Sequence, residues 1–145
     1  MRRAFLIGIV GIIILTGFMV SCDLFSDGTI NFYRMVKGND DVSEYRLRYR
    51  KDGWTIRMSL GQIEDTGFAT KEQAEAKMGT VSFVLTVDGE EIVGGNKTAE
   101  QLGSNAWHVV VPYHVKLSKG THAVIGTTNV GGVQLRTNTV NITVF

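Results

Sequence analysis

The chain has 145 residues, with 15 basic and 14 acidic side chains, a net charge of +1, one cysteine and one proline. That length suits one domain, since domains run most often at about 100–150 residues, and it allows an independent core. The near-neutral balance argues against a nucleic-acid partner or a generic anionic surface, and a lone cysteine leaves no internal disulfide to staple the fold.

Met1 to Cys22 opens the chain. Arg2 and Arg3 form a basic head, Ala4 to Val20 is an almost unbroken apolar run, and Ser21 leads into Cys22. A basic head, an apolar centre and a small residue before a cut are the parts of a secretory signal peptide. The string Met19-Val20-Ser21-Cys22 resembles the lipobox of bacterial lipoproteins, although Met19 stands where that family usually has Leu. The resemblance implies cleavage before Cys22, acylation of that residue by palmitate-type chains and a mature lipoprotein held in the cell membrane. Two plainer readings stand beside it: an uncleaved helix, for which ~17–25 apolar residues suffice, or ordinary secretion with Cys22 left as a thiol. In all three, Asp23 onward lies outside the cytoplasm, because Arg2 and Arg3 hold the head inside. Asp23 itself resembles an inner-membrane retention signal of some Gram-negative lipoproteins. The expected organisation is a signal peptide over 1–21, a short lipid-anchored linker over 22–28 and one domain over 29–145. Without residues 1–21 the chain carries 13 basic and 14 acidic side chains.

Thr29 to Val36 is the first expected strand, with Phe32 facing inward. Tyr45 to Arg50 and Trp54 to Leu60 read as a hairpin, with Asp52-Gly53 as its type I′ turn. That register places Tyr45, Leu47, Tyr49, Ile56, Met58 and Leu60 on a core face. The other face carries Arg46, Arg48, Arg50 and Arg57, the most distinctive polar cluster in the chain and its candidate binding face. Arg48 would oppose Arg57, a destabilising arrangement. Glu44, Glu64, Asp65 or Asp41 could offset it, or an acidic or phosphate-bearing partner could, since arginine forks suit anions.

Thr70-Lys71-Glu72-Gln73 has the spacing of a capping box, and Gly79 suits a helix stop, so Thr70 to Met78 reads as a short helix crossing between sheets. Val81 to Val87 is a strand that turns through Asp88-Gly89 into Glu90 to Val93. Asp88, Glu90 and Glu91 lack the spaced ligands of a calcium loop. Gly94 to Asn105 reads as a loop with a helical turn over Thr98 to Leu102. Ala106 to Leu117 is a long strand with Trp107, Val109, Val111, Tyr113 and Val115 on one face. Its Pro112 indicates an edge or a bulge. His108 and His114 are ~20 Å apart along that strand at ~3.3 Å per residue, too far to share a metal ion. No metal site and no cofactor is implied.

The last block runs Leu117-Ser118-Lys119-Gly120-Thr121-His122, then a strand, Gly131-Gly132, and Asn138-Thr139-Val140-Asn141-Ile142-Thr143-Val144. It resembles the final hairpin of bacterial immunoglobulin-like domains, in which a histidine at the place of His122 orders the turn. Val140, Ile142 and Val144 face the core, and the change of face after Leu135 requires a bulge near Thr137 or Asn138.

No nucleophile elbow, metalloprotease motif or phosphate loop is present. The expected fold is all-β, an immunoglobulin-like antiparallel two-sheet sandwich with one short crossover helix. The expected function is a non-catalytic module tethered to the membrane through Cys22, facing the periplasm or the cell surface and docking onto an envelope protein rather than nucleic acid. The alternative is a carbohydrate-binding module, which would need Tyr33, Trp107 or Tyr113 exposed for stacking on sugars.

Overall fold

The computed structural model describes residues 27–37, 42–61, 67–102 and 106–145. The leader and Cys22 lie outside the described residues, as do Asp41, Glu64 and Asp65. In chain order the elements are β1 (Thr29–Asn31), α1 (Phe32–Met35), β2 (Val42–Leu47), β3 (Trp54–Leu60), α2 (Lys71–Lys77), β4 (Val81–Val87), β5 (Glu90–Ile92), β6 (Thr98–Leu102), β7 (Ala106–Val115), β8 (Gly120–Val130) and β9 (Val133–Val144). They form an all-β, immunoglobulin-like sandwich of two sheets, ordered β1-β3-β7-β6 and β2-β9-β8-β4-β5. Both sheets are mixed, because the edge strands β1 and β2 run parallel to β3 and β9 while every other pair is antiparallel.

Alternation builds the core. Trp54, Ile56, Met58 and Leu60 of β3 and Val109, Val111, Tyr113 and Val115 of β7 face Val81, Phe83 and Leu85 of β4, Val124 of β8, and Val140, Ile142 and Val144 of β9. Tyr113 ends its ring at a polar partner, its hydroxyl donating to the Phe83 carbonyl across the sandwich at 2.8 Å. Burial pushes that phenol up to about 12, with the Glu91 charge adding to the effect.

The hairpin expected from Tyr45 to Leu60 does not form. β2 and β3 belong to different sheets, and Arg48–Gly53 is a corner that carries the chain from one to the other. Gly53 N donates to the Arg50 carbonyl at 3.1 Å, and Trp54 Nε1 donates to the Arg48 carbonyl at 3.1 Å. Tyr49, expected in the core, is left 50% exposed at this corner. The type I′ turn falls at the other Asp-Gly pair: Asp88 and Gly89 both have positive φ, 52° and 86°, as that turn demands.

Three further expectations change. Thr29 to Val36 is a strand only to Asn31, after which Phe32 to Met35 coil into α1 and bury Phe32 and Met35. Thr98 to Leu102 is an edge strand, not a helical turn. The bulge lies slightly earlier than expected, at Leu135, because Thr128 pairs with Arg136 and Asn129 with Gln134. The crossover helix is as expected at its start: the Thr70 hydroxyl accepts from Gln73 N, and Gln73 Oε1 accepts from Ala69 N. At its end Gly79 keeps negative φ, and Lys97 closes the helix by donating from Nζ to the Met78 and Val81 carbonyls. Pro112 sits in a central strand, but beyond the stretch paired with β6. Its carbonyl accepts from Gly95 N at 2.7 Å. The N–H and C=O of a strand residue point the same way, so the missing donor faces the Gly94–Gly95 segment and costs the β3–β7 ladder nothing.

Candidate functional site

The corner that replaces the hairpin separates the four arginines. Arg57 lies on the outer face of the β1-β3-β7-β6 sheet. Its Nε donates to Asn31 Oδ1 at 3.1 Å and its Nη1 to Glu100 Oε2 at 3.2 Å. Glu100 is anchored in turn by the Thr98 hydroxyl at 2.9 Å. The carboxylate that balances Arg57 therefore comes from β6, and the expected opposition of Arg48 and Arg57 never arises. Arg46, Arg48 and Arg50 stay near one another, on or beside the β2–β3 corner. Arg50 is half-buried, with its guanidinium 5.3 Å from the Trp54 ring and against Gly28. Arg46 stacks 4.8 Å from the Phe145 ring.

The strand ends around that corner make up one end of the sandwich. β1 and β3 begin there, β2, β7 and β9 finish there, and β8 sets out from there. Two loops cap it, Arg48–Gly53 and Lys116–Lys119. Arg46, Arg48, Lys51, Lys116 and Lys119 are all exposed. Two rings stand among them, Tyr49 at 50% and Phe145 at 47% exposure. They are fixed by backbone: Tyr49 N donates to the Phe145 carbonyl at 2.8 Å and Phe145 N to the Leu47 carbonyl at 3.1 Å. Lys119 Nζ lies 6.0 Å from the Tyr49 ring. Sequence reasoning missed Lys116, Lys119 and Phe145, whose only signal was that basic residues gather in two of the turns.

Beside this end stands the one histidine with a carboxylate partner among the described residues. His122 Nδ1 lies 2.7 Å from Asp88 Oδ2, and Nε2 lies 2.8 Å from the Ser118 carbonyl and 3.4 Å from the Ser118 hydroxyl. Asp88 Oδ1 also accepts from Ala123 N at 2.9 Å. The order Ser118, His122, Asp88 has the outline of a hydrolytic triad, but the imidazole faces acceptors on both sides. While protonated, an imidazole so placed donates through both nitrogens and has no lone pair left to take a proton from serine. The arrangement is a clasp that ties the β4–β5 turn to the β7–β8 loop.

The clasp sets a pH dependence. The Asp88 hydrogen bond, with the Ser118 carbonyl, raises the His122 pKa above its ordinary 6.5. The His122 and Ala123 hydrogen bonds lower that of Asp88 below 3.8. The histidine contribution is complete below pH 6.5 and is lost as pH rises through the raised value. The aspartate contribution is complete above pH 3.8 and is lost as pH falls through the lowered one. The urea midpoint is thus expected to be higher at about pH 5.5 than at about pH 8, and His122→Ala should flatten the difference. Equal slopes in wild type and variant would remove the clasp from the account.

The other histidines sit apart from it. His108 is 4% exposed, with its ring against Gly61 and Gly67; burial pushes its pKa down, which keeps it neutral at pH 7. His114 is exposed. No group of three or more histidine, cysteine, aspartate or glutamate side chains placed to hold a metal ion occurs among the described residues. Of the rings a sugar would need, Tyr113 is buried and Trp107 half-buried. Tyr33 is held by the Thr128 hydroxyl at 2.7 Å beneath the Arg136 guanidinium, 5.0 Å away.

No protein-family model matches the chain, and no curated protein matches it. Among solved structures the chain is similar to a cysteine protease inhibitor from Entamoeba histolytica, with a TM-score of 0.41 and 11% identity over 81% of this chain and 93% of that one.

Proposed function

We propose that the chain is a non-catalytic interaction module, tethered outside the cytoplasm through acylated Cys22 and docking onto another protein of the envelope. One observation carries the reading. The sole cysteine closes the apolar leader, and only four residues separate it from Asp27, where the described fold begins. An apolar run followed so closely by a sandwich holds the domain at the bilayer, since acyl chains contribute about 0.8 kcal/mol per buried methylene and two or more give stable anchoring. The locked His122 supports the non-catalytic part. Among the described residues no helix is long and apolar enough to cross a membrane; the leader is the segment on which tethering rests.

Intact mass spectrometry of protein extracted from its native membrane is the test. The expected mass begins at Cys22 and carries acyl chains, and Cys22→Ala should lose those chains. A mass that includes residues 1–21, shifted in the variant only by the substitution, would sink the lipid-anchor reading.

A further inference from the structure

We infer that the end of the sandwich bearing Arg46, Arg48, Lys51, Lys116 and Lys119 seats the domain on anionic phospholipid headgroups of the membrane that holds the tether. The inference rests on the tethered reading and adds an orientation and a ligand to it. Its first support is where the chain enters. Asp27 and Gly28 lead into β1 at this end, and the Gly28 carbonyl accepts from Thr55 N at 2.7 Å beside the start of β3. Five residue steps from Cys22 to Asp27 reach at most about 18 Å even when fully extended. The opposite end, with α2 and the β8–β9 tip, is a full strand length further away.

Charge is the second support. The five exposed cations are set against the exposed carboxylates of Asp27 and Asp52 and, beside them at the β4–β5 turn, Glu90 and Glu91, while that of Asp88 is matched by His122. The net charge of residues 22–145 therefore conceals a polar distribution, with its positive pole where the chain enters. The rings are the third. Tyr49 and Phe145 present partly exposed faces between the cations, the mixture of aromatic and basic side chains that settles at headgroup depth. Attraction of a basic cluster to an anionic leaflet fades within a Debye length, about 10 Å at 0.1 M salt. A short tether keeps the cluster near that range, at high effective concentration.

The test uses the acylated full chain, extracted in detergent and reconstituted into vesicles of phosphatidylcholine alone or with about 30% phosphatidylglycerol, a composition anionic enough to attract a basic cluster. Flotation reports tethering, and amine acetylation read by peptide mass spectrometry reports orientation. On anionic vesicles Lys51, Lys116 and Lys119 should react about tenfold more slowly than on neutral ones, with Lys71 and Lys77 of α2 unchanged. About 1 M NaCl, where the Debye length is about 3 Å, should restore their reactivity. The double variant Arg48→Glu/Lys119→Glu should float normally yet lose the protection of Lys51. Floating protein with equal labelling on both vesicles would overturn the headgroup contact and leave the tether standing. Protection that ignores lipid charge would overturn it as well. Failure to float on either vesicle would remove the tether and this inference with it.

Discussion

Phe32→Ala is expected to lower the unfolding free energy by about 3–5 kcal/mol, the range for removing a fully buried aromatic ring. Phe32 is 0% exposed and opens α1. Its ring stands edge-on to Tyr33, with centroids 5.5 Å apart and planes at 83°, and it reaches across the sandwich to β8. The residue it meets there is Gly126, which has no side chain to relax into the space a missing ring would leave. Loss on this scale is a large part of the roughly 5–15 kcal/mol that holds most domains together. Urea unfolding measures it, and a change below about 1 kcal/mol, less than half a typical core truncation, would show that the ring is not central to the core.

Gly126→Val tests the same contact from the other side. A Cβ at this position would come within 2.6 Å of Phe32 Cε1, 2.8 Å of its Cζ and 2.9 Å of Met58 Cε. The methionine end can swing aside, but the phenyl ring is enclosed. β8 cannot retreat, because it is hydrogen-bonded to β4 on one side and β9 on the other. Overpacking of this kind costs about 1–3 kcal/mol or more. Pairing Gly126→Ala with Phe32→Leu should destabilise by less than the sum of the singles, by at least about 0.5 kcal/mol as contacting residues do. Strict additivity would mean the two do not meet.

Much of the fold can be read from alternation and turn chemistry alone. The β4–β5 and β8–β9 hairpins, the α2 cap and the long β7 strand all follow from local signals that agree with their surroundings. The failures share a cause. Alternation states which face of a strand is buried but not which strand lies beside it. Tyr45 to Leu60 is equally consistent with a hairpin and with a corner between sheets. Only Trp54, which turns its indole N–H back to Arg48, marks the corner, and that contact is tertiary. β6 was unreadable because an edge strand made of Thr-Ala-Glu-Gln-Leu has almost no apolar pattern. α1 is held by burial of Phe32 and Met35, not by helix propensity. The four arginines stand out in the sequence, but their grouping depended on the hairpin. With the hairpin gone, Arg57 joins Glu100, and the remaining three meet lysines from some 70 positions further along the chain.

The parallel seam between β2 and β9 has a bearing on how the molecule is made. Glu44 and Asn141, joined across it by a 2.9 Å hydrogen bond, are 97 residues apart. Among the described residues β2 has no other strand beside it, so it must wait for a segment made 97 residues later before its backbone is paired. Topologies that depend on such distant pairings fold slowly. A nascent chain of this kind stays open until β9 emerges, which leaves it threadable for as long as that takes. Under the export proposed above, slow closure would keep the chain extended until it had been drawn to the far side of the bilayer.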